Sequence, residues 1–125
     1  MDLVSFLRPE ADLLVKIAVE EEGVIPLIEG RLMTRRGRPV WFCAAPQPTG
    51  RALILSLELP SFNLAEDGGL EAAGPEYSAP IYLLSRVRGC RYFPPRTAYL
   101  LRLELLGRIW PEPSNPRCAE AWKTL

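Results

Sequence analysis

The chain contains no histidine. That absence removes the Ser-His-Asp and Cys-His nucleophilic arrangements, the histidine-dependent zinc sites and the side chain that most often serves as general base near neutral pH. Any catalysis would fall to carboxylates, lysine, tyrosine or a metal held by oxygens. Cysteine is scarce: Cys43, Cys90 and Cys118 form an odd, scattered set, and no two stand at a metal-ligand or redox spacing. They are expected as free thiols in a reducing compartment, which makes an intracellular location the expectation. No apolar run reaches the length of a membrane span. The first residues, Met1 to Arg8, carry an acid at position 2 and no basic segment, so neither a secretory leader nor membrane association is expected. A phosphate-cradling glycine loop is also missing, because Gly68, Gly69 and Gly74 fit neither phosphate-loop pattern and open no helix. Acids occur as the runs Glu20–Glu22 and Glu66–Asp67. Adjacency in sequence does not make them a facing catalytic pair, and solvated surface is the plainer reading. The expectation is a protein with no catalytic residues, no metal and no cofactor.

What is present is a globular composition. The chain has 125 residues, 48% hydrophobic and 24% charged, enough for one domain with a real core over residues 1–125. Thirteen prolines break helix interiors and central strands, so short elements with frequent turns are expected. Residues 9–22 carry two signals. Pro9, Glu10 and Asp12 resemble a first helical turn with Gly23 as its stop. Against that, Val15, Ile17 and Val19 alternate with Lys16 and Ala18 as in a strand, and Glu20–Glu22 would oppose the dipole at a helix C-terminus. Strand is the preferred reading, with helix left open.

Beyond Gly23 the alternation is plainer. Val24 to Thr34 and Val40 to Ala44 read as a hairpin turning at Arg35-Arg36-Gly37-Arg38-Pro39. Leu53, Leu55, Leu57 and Leu59 mark one face of a strand from Arg51 to Leu59. Residues 60–79 read as a long polar loop. Pro80 to Val87 is a strand, Gly89 to Arg96 a loop, and Thr97 to Ile109 a strand whose leucine content would also allow a helix. Ser114-Asn115-Pro116, followed by Cys118, Ala121 and Trp122, reads as an N-capped short C-terminal helix. The sum is a mostly β chain of five to seven short strands, a small barrel or sandwich.

Charge is distributed in blocks. Of the fifteen cations only Lys16 and Lys123 are lysine, so thirteen are arginine. Residues 30–51 hold five arginines and no acid, and residues 80–108 hold six against Glu104 alone. Net charge is zero, yet a local basic surface recruits an anionic partner whatever the total. Two clusters are candidate interaction sites: Arg35, Arg36 and Arg38 at the hairpin tip, and Arg86, Arg88, Arg91, Tyr92, Phe93 and Arg96 around the later connection. Arginine forks hold phosphate bidentately, and aromatic faces stack bases, so single-stranded nucleic acid is one possible ligand. The plainer reading makes these arginines the solvent face of strands, paired across them with Glu58 or Glu104. Blocks of opposite sign can also meet across an interface between copies, giving a homo-oligomer.

Three stretches carry a resemblance. Glu20 to Gly30 places Gly23, Pro26, Glu29 and Gly30 in a Gly-x-x-Pro-x-x-Glu-Gly pattern after an opening strand. Val40 to Leu59 gives an aromatic-rich strand, a proline-containing turn and a long alternating strand. Arg96, Ala98 and Leu100 are followed by Arg108 to Pro113 as a closing strand and its exit. Together these resemble the deoxyuridine-triphosphatase-like β-barrel family, and within it the non-enzymatic branch found in adenovirus early region 4. The resemblance implies a viral or regulatory barrel, open to trimeric association, without the hydrolase. The family's Arg-Ser-Gly-Leu motif is absent, and Glu76, Tyr77, Ser78 and Ala79 stand where a substrate-gripping Asp-Tyr-Arg-Gly would fall. No glycine-rich arm follows, and Lys123-Thr124-Leu125 departs from the PDZ ligand of the viral relatives. The expected function is therefore a non-enzymatic intracellular module that works through protein contacts. A nucleic-acid-binding barrel is the alternative.

Overall fold

Leu53, Leu55, Leu57 and Leu59 are all buried, so the period-two pattern of the sequence marks a face that points into a core. The computed structural model describes residues 7, 10–19, 27–65 and 69–109. The expected helix at residues 114–122 lies outside them. Among the described residues eight strands follow one another: β1 (Asp12–Ala18), β2 (Leu27–Arg35), β3 (Arg38–Cys43), β4 (Ala52–Pro60), β5 (Phe62–Leu64), β6 (Leu70–Ala72), β7 (Ser78–Phe93) and β8 (Ala98–Ile109). Six of them close a barrel in the order β1-β2-β3-β8-β7-β4, every neighbouring pair antiparallel. The core joins Val15 and Ile17 of β1, Leu32 of β2, Trp41 and Cys43 of β3, and the four leucines of β4. Ile81, Leu83 and Val87 of β7, Leu101 of β8 and Val19 just after β1 complete it. Full burial of a side chain of this size stabilises by roughly 1.5–3 kcal/mol. Gly30 is the one place where β2 must be bare. A Cβ there would meet the Phe42 carbonyl oxygen at 2.6 Å and Ile17 Cδ1 at 2.7 Å.

The strand preferred within residues 9–22 is present as β1, because Val15 and Ile17 alternate into the core. Two other sequence expectations are corrected. The segment 60–79, read as a loop, holds the small β5–β6 hairpin, with Phe62 opposite Ala72 and Phe62 and Leu70 packed on the core. Residues 89–93, also read as loop, continue β7 without a break. The register shifts between Val87 and Gly89, leaving Arg88 as an extra residue on β7, and such a bulge bends a strand without ending it. The turn is confined to Pro94–Arg96, where the prolines preset the backbone, and to Thr97 in the left-handed region at φ 51. β7 and β8 are therefore long, 16 and 12 residues, rather than short.

The barrel is two three-stranded halves, β1-β2-β3 and β4-β7-β8. Each seam between them is paired over few residues: Val15–Ala18 with Leu57–Ile54, and Trp41–Cys43 with Leu101–Tyr99. Both seams part toward the end that carries the Arg36-Gly37 turn.

Candidate functional site: a basic seam between β3 and β8

The β2–β3 turn has two central residues, Arg36 at φ 54 and Gly37 at φ 74, both left-handed. That is the turn whose twist suits a two-residue hairpin. It sets Arg35 directly opposite Arg38, and all three arginines of the tip are exposed. With Val40 they line a shallow groove of about 590 Å³.

Val40 is shared with a second groove of about 560 Å³ where β3 and β8 separate. Pro39, Val40 and Trp41 form one wall; Leu100, Leu101, Arg102 and Leu103 form the other; Gly89, Cys90 and Arg91 of β7 complete it. Among the described residues, no acid lines either groove. Gly89 brings no side chain, and a Cβ built there would lie 3.6 Å from the Arg102 guanidinium, so this arginine lies over the bare backbone of β7. Arg102 also donates from Nη2 to the Arg88 carbonyl at 3.1 Å, which positions its charge without neutralising it.

Beside the grooves, Phe42 holds a small aromatic stack. Phe93 packs against it with ring centroids 5.6 Å apart and tilted by 50°, and the Arg96 guanidinium carbon stands 5.1 Å from its ring centroid. Contacts of this kind contribute about 0.5–1 kcal/mol each at exposed sites. Tyr92 meets Tyr99 edge-on across β7 and β8 at 5.3 Å and stays 50% exposed.

Seven of the nine expected residues, Arg35, Arg36, Arg38, Arg91, Tyr92, Phe93 and Arg96, fall on or beside this seam. Two do not. Arg88 forms an ion pair with Glu104 of β8, its Nε donating to Oε2 at 2.6 Å. Arg86 faces the same Glu104 across the β7–β8 register, and its Nε is buried without a hydrogen-bond partner. The cross-strand alternative in the sequence thus describes Arg88. Arg102, Pro39, Val40 and Trp41 were not singled out beforehand. Pro39, which the sequence reading placed in the turn, is the second residue of β3, and a proline there must interrupt bonding on one side.

The site offers positive charge, apolar walls and main-chain groups. Among the described residues no three histidine, cysteine, aspartate or glutamate side chains gather as a metal site. Cys43 and Cys90 are free thiols. Burial pushes the Cys43 thiol up, partly offset by the Ala45 amide and by Gln47, whose Nε2 lies 3.9 Å from Sγ, and Cys90 nearby pushes it up further. A buried thiol held protonated is a packing group rather than a nucleophile. Among the described residues no helix is long and apolar enough to cross a membrane. Comparisons with protein families, with characterised proteins and with solved structures found no match to this chain.

Proposed function

We propose that this chain is a non-enzymatic intracellular protein-interaction module, regulatory or structural, that holds an acidic partner on the basic seam of its barrel. One observation carries the reading: Arg35, Arg36, Arg38, Arg91 and Arg102 line two adjoining grooves that share Val40 and that no acid lines among the described residues. Arginine forks take carboxylates bidentately, and a one-signed concave surface raises the local concentration of the opposite charge. The free thiols fit a reducing compartment. The resemblance to a barrel family that lacks the hydrolase motif in this chain agrees with a binding role.

A single-stranded nucleic acid is the second reading, favoured by Tyr92, half exposed next to Arg91. Stacking on such a ring is worth about 1–3 kcal/mol per base. Fluorescence anisotropy separates the two, with a labelled glutamate-rich peptide and a labelled thymidine oligonucleotide titrated in parallel at low and physiological salt. The peptide is expected to bind, and reversing Arg91 and Arg102 to glutamate to abolish it. Oligonucleotide binding alone, lost on Tyr92→Ala, would transfer the proposal to nucleic acid. Binding of neither probe would remove both.

A further inference from the structure

We infer that the acidic partner enters the seam as an added β-strand, hydrogen-bonded to the edge of β8 at Leu103 and Leu105, which no strand among the described residues pairs. This rests on the reading of the seam as a site for an acidic protein segment and specifies how that segment is held.

The inference follows from the direction of main-chain groups. Along a strand, successive residues point their N–H and C=O to alternate sides. Arg35 and Arg38 flank a two-residue turn and so bond to each other. The Ala44 N–H donates to the Glu29 carbonyl at 3.1 Å. The even-numbered residues of β3 therefore serve β2, and Pro39, Trp41 and Cys43 face β8. Trp41 and Cys43 pair there with Leu101 and Tyr99. Pro39 is next in line and has no N–H, so the ladder stops.

On the other wall, the Val87 N–H donates to the Arg51 carbonyl at 2.9 Å, and the Val87 carbonyl accepts from the Gly50 N–H at 2.7 Å. The main chain of Val87 thus points toward β4. Leu103 stands opposite Val87, and Leu105 opposite Ser85, the next residue of the same parity. Their N–H and C=O groups accordingly point away from β7 and into the seam. β8 runs on to Ile109, and among the described residues no strand pairs with this side of it beyond Leu101.

Unpaired edges of this length are templates for another strand, and proteins usually cover them. The chemistry around the edge selects the occupant. Arg38, Arg91 and Arg102 flank it, and among the described residues no acid lines the groove, which favours a carboxylate-bearing segment. Val40 and Leu100 offer apolar contact to side chains of the other parity. A second copy of this chain pairing edge to edge would set Arg102 and Arg108 among like charges unless Glu104 lies opposite, so it fits less well than an acidic peptide.

The test uses the full chain and three labelled decapeptides of alternating glutamate and valine. One is unmodified, and the other two are N-methylated on alternate backbone nitrogens, one of each parity. Methylation removes donors and keeps charge. The unmodified peptide is expected to bind, one methylated peptide to bind as it does, and the other to bind at least tenfold more weakly. Amide hydrogen exchange should show Leu103 and Leu105 fast in the free protein and slowed by the peptide. If both methylated peptides bind like the parent, attraction is electrostatic only, and strand addition is overturned while the acidic-partner reading stands. If no peptide binds, both fall. If the Leu103 and Leu105 amides are already slow in dilute free protein, or slow only as its own concentration rises, the edge is taken by the chain itself or by a second copy, and the inference is overturned.

Discussion

Glu104 takes Arg88 out of the basic face: the two side chains meet across β7 and β8, with Arg88 Nε donating to Oε2 at 2.6 Å. Both remain close to half exposed, so the pair is screened and adds at most about 1 kcal/mol to stability. Arg91, three residues on, has no acid beside it in its groove among the described residues. Arg88→Ala should therefore leave affinity for an acidic peptide within about twofold, whereas Arg91→Ala should lower it by roughly tenfold, the scale of one charge-assisted bond. Glu104→Gln should tighten binding by releasing Arg88. Anisotropy titrations at fixed salt check all three, and equal losses for Arg88→Ala and Arg91→Ala would contradict this division of the face.

Thr34 ties β2 to the chain entering β1. Its Oγ1 accepts from the Ala11 N–H at 2.6 Å, and its own N–H donates to the Ala11 carbonyl at 3.0 Å. The residue is buried, so water cannot replace the hydroxyl. Thr34→Val keeps the shape and leaves the Ala11 N–H unpaired, at a cost of about 1–3 kcal/mol. The urea midpoint should fall accordingly with an unchanged slope.

Gly30 is required by space. The Phe42 carbonyl at 2.6 Å from a built Cβ is backbone and cannot swing away as a flexible side-chain tip can. Gly30→Ala should destabilise by about 1–3 kcal/mol, as overpacking does. Gly89→Ala is the control, because its nearest neighbours are Arg102 atoms at 3.6 Å or more. Comparable losses in thermal unfolding for the two variants would refute the steric account.

Burial holds the Cys43 thiol above its ordinary value, so the folded state keeps this proton more tightly than the unfolded chain does. The sign follows from linkage: the contribution is complete below the ordinary thiol pKa and disappears as pH rises through the higher folded value. Between about pH 8 and pH 10 the wild-type urea midpoint should fall further than that of Cys43→Ala. Under native conditions iodoacetamide should label Cys90, which is partly exposed, ahead of Cys43, which is 1% exposed. Labelling in the reverse order would refute the buried, protonated state.

The inward faces were legible because burial on one side of a sheet imposes a period of two, as Leu53 to Leu59 show. The tip arginines were legible because Arg36-Gly37 reads as a turn by its residues alone. What stayed hidden depends on which strand lies next to which. Gly89 looked like a break because a sequence does not announce that a bulge at Arg88 lets β7 continue. Arg88 resembled a ligand-binding arginine until β8 placed Glu104 across from it. Arg102 looked like an ordinary outward residue, and only the parting of β3 from β8 makes it line a groove.

Pro39 stands where β3 and β8 part, and its replacement tests the seam directly. Its side of β3 faces β8, where Trp41 and Cys43 already bond. Pro39→Val restores the missing donor and adds a β-branched residue suited to a strand. The ladder can then extend to Leu103, adding one hydrogen bond worth about 0.5–1.5 kcal/mol. Stability should rise by that order, while affinity for an acidic segment should fall, because the edge that receives it is now occupied from within. Hydrogen exchange at residue 39 and urea unfolding measure the first effect, and peptide titration the second. A variant whose residue 39 amide is protected yet which binds the peptide as tightly as wild type would show that the edge of β8 has no part in recognition.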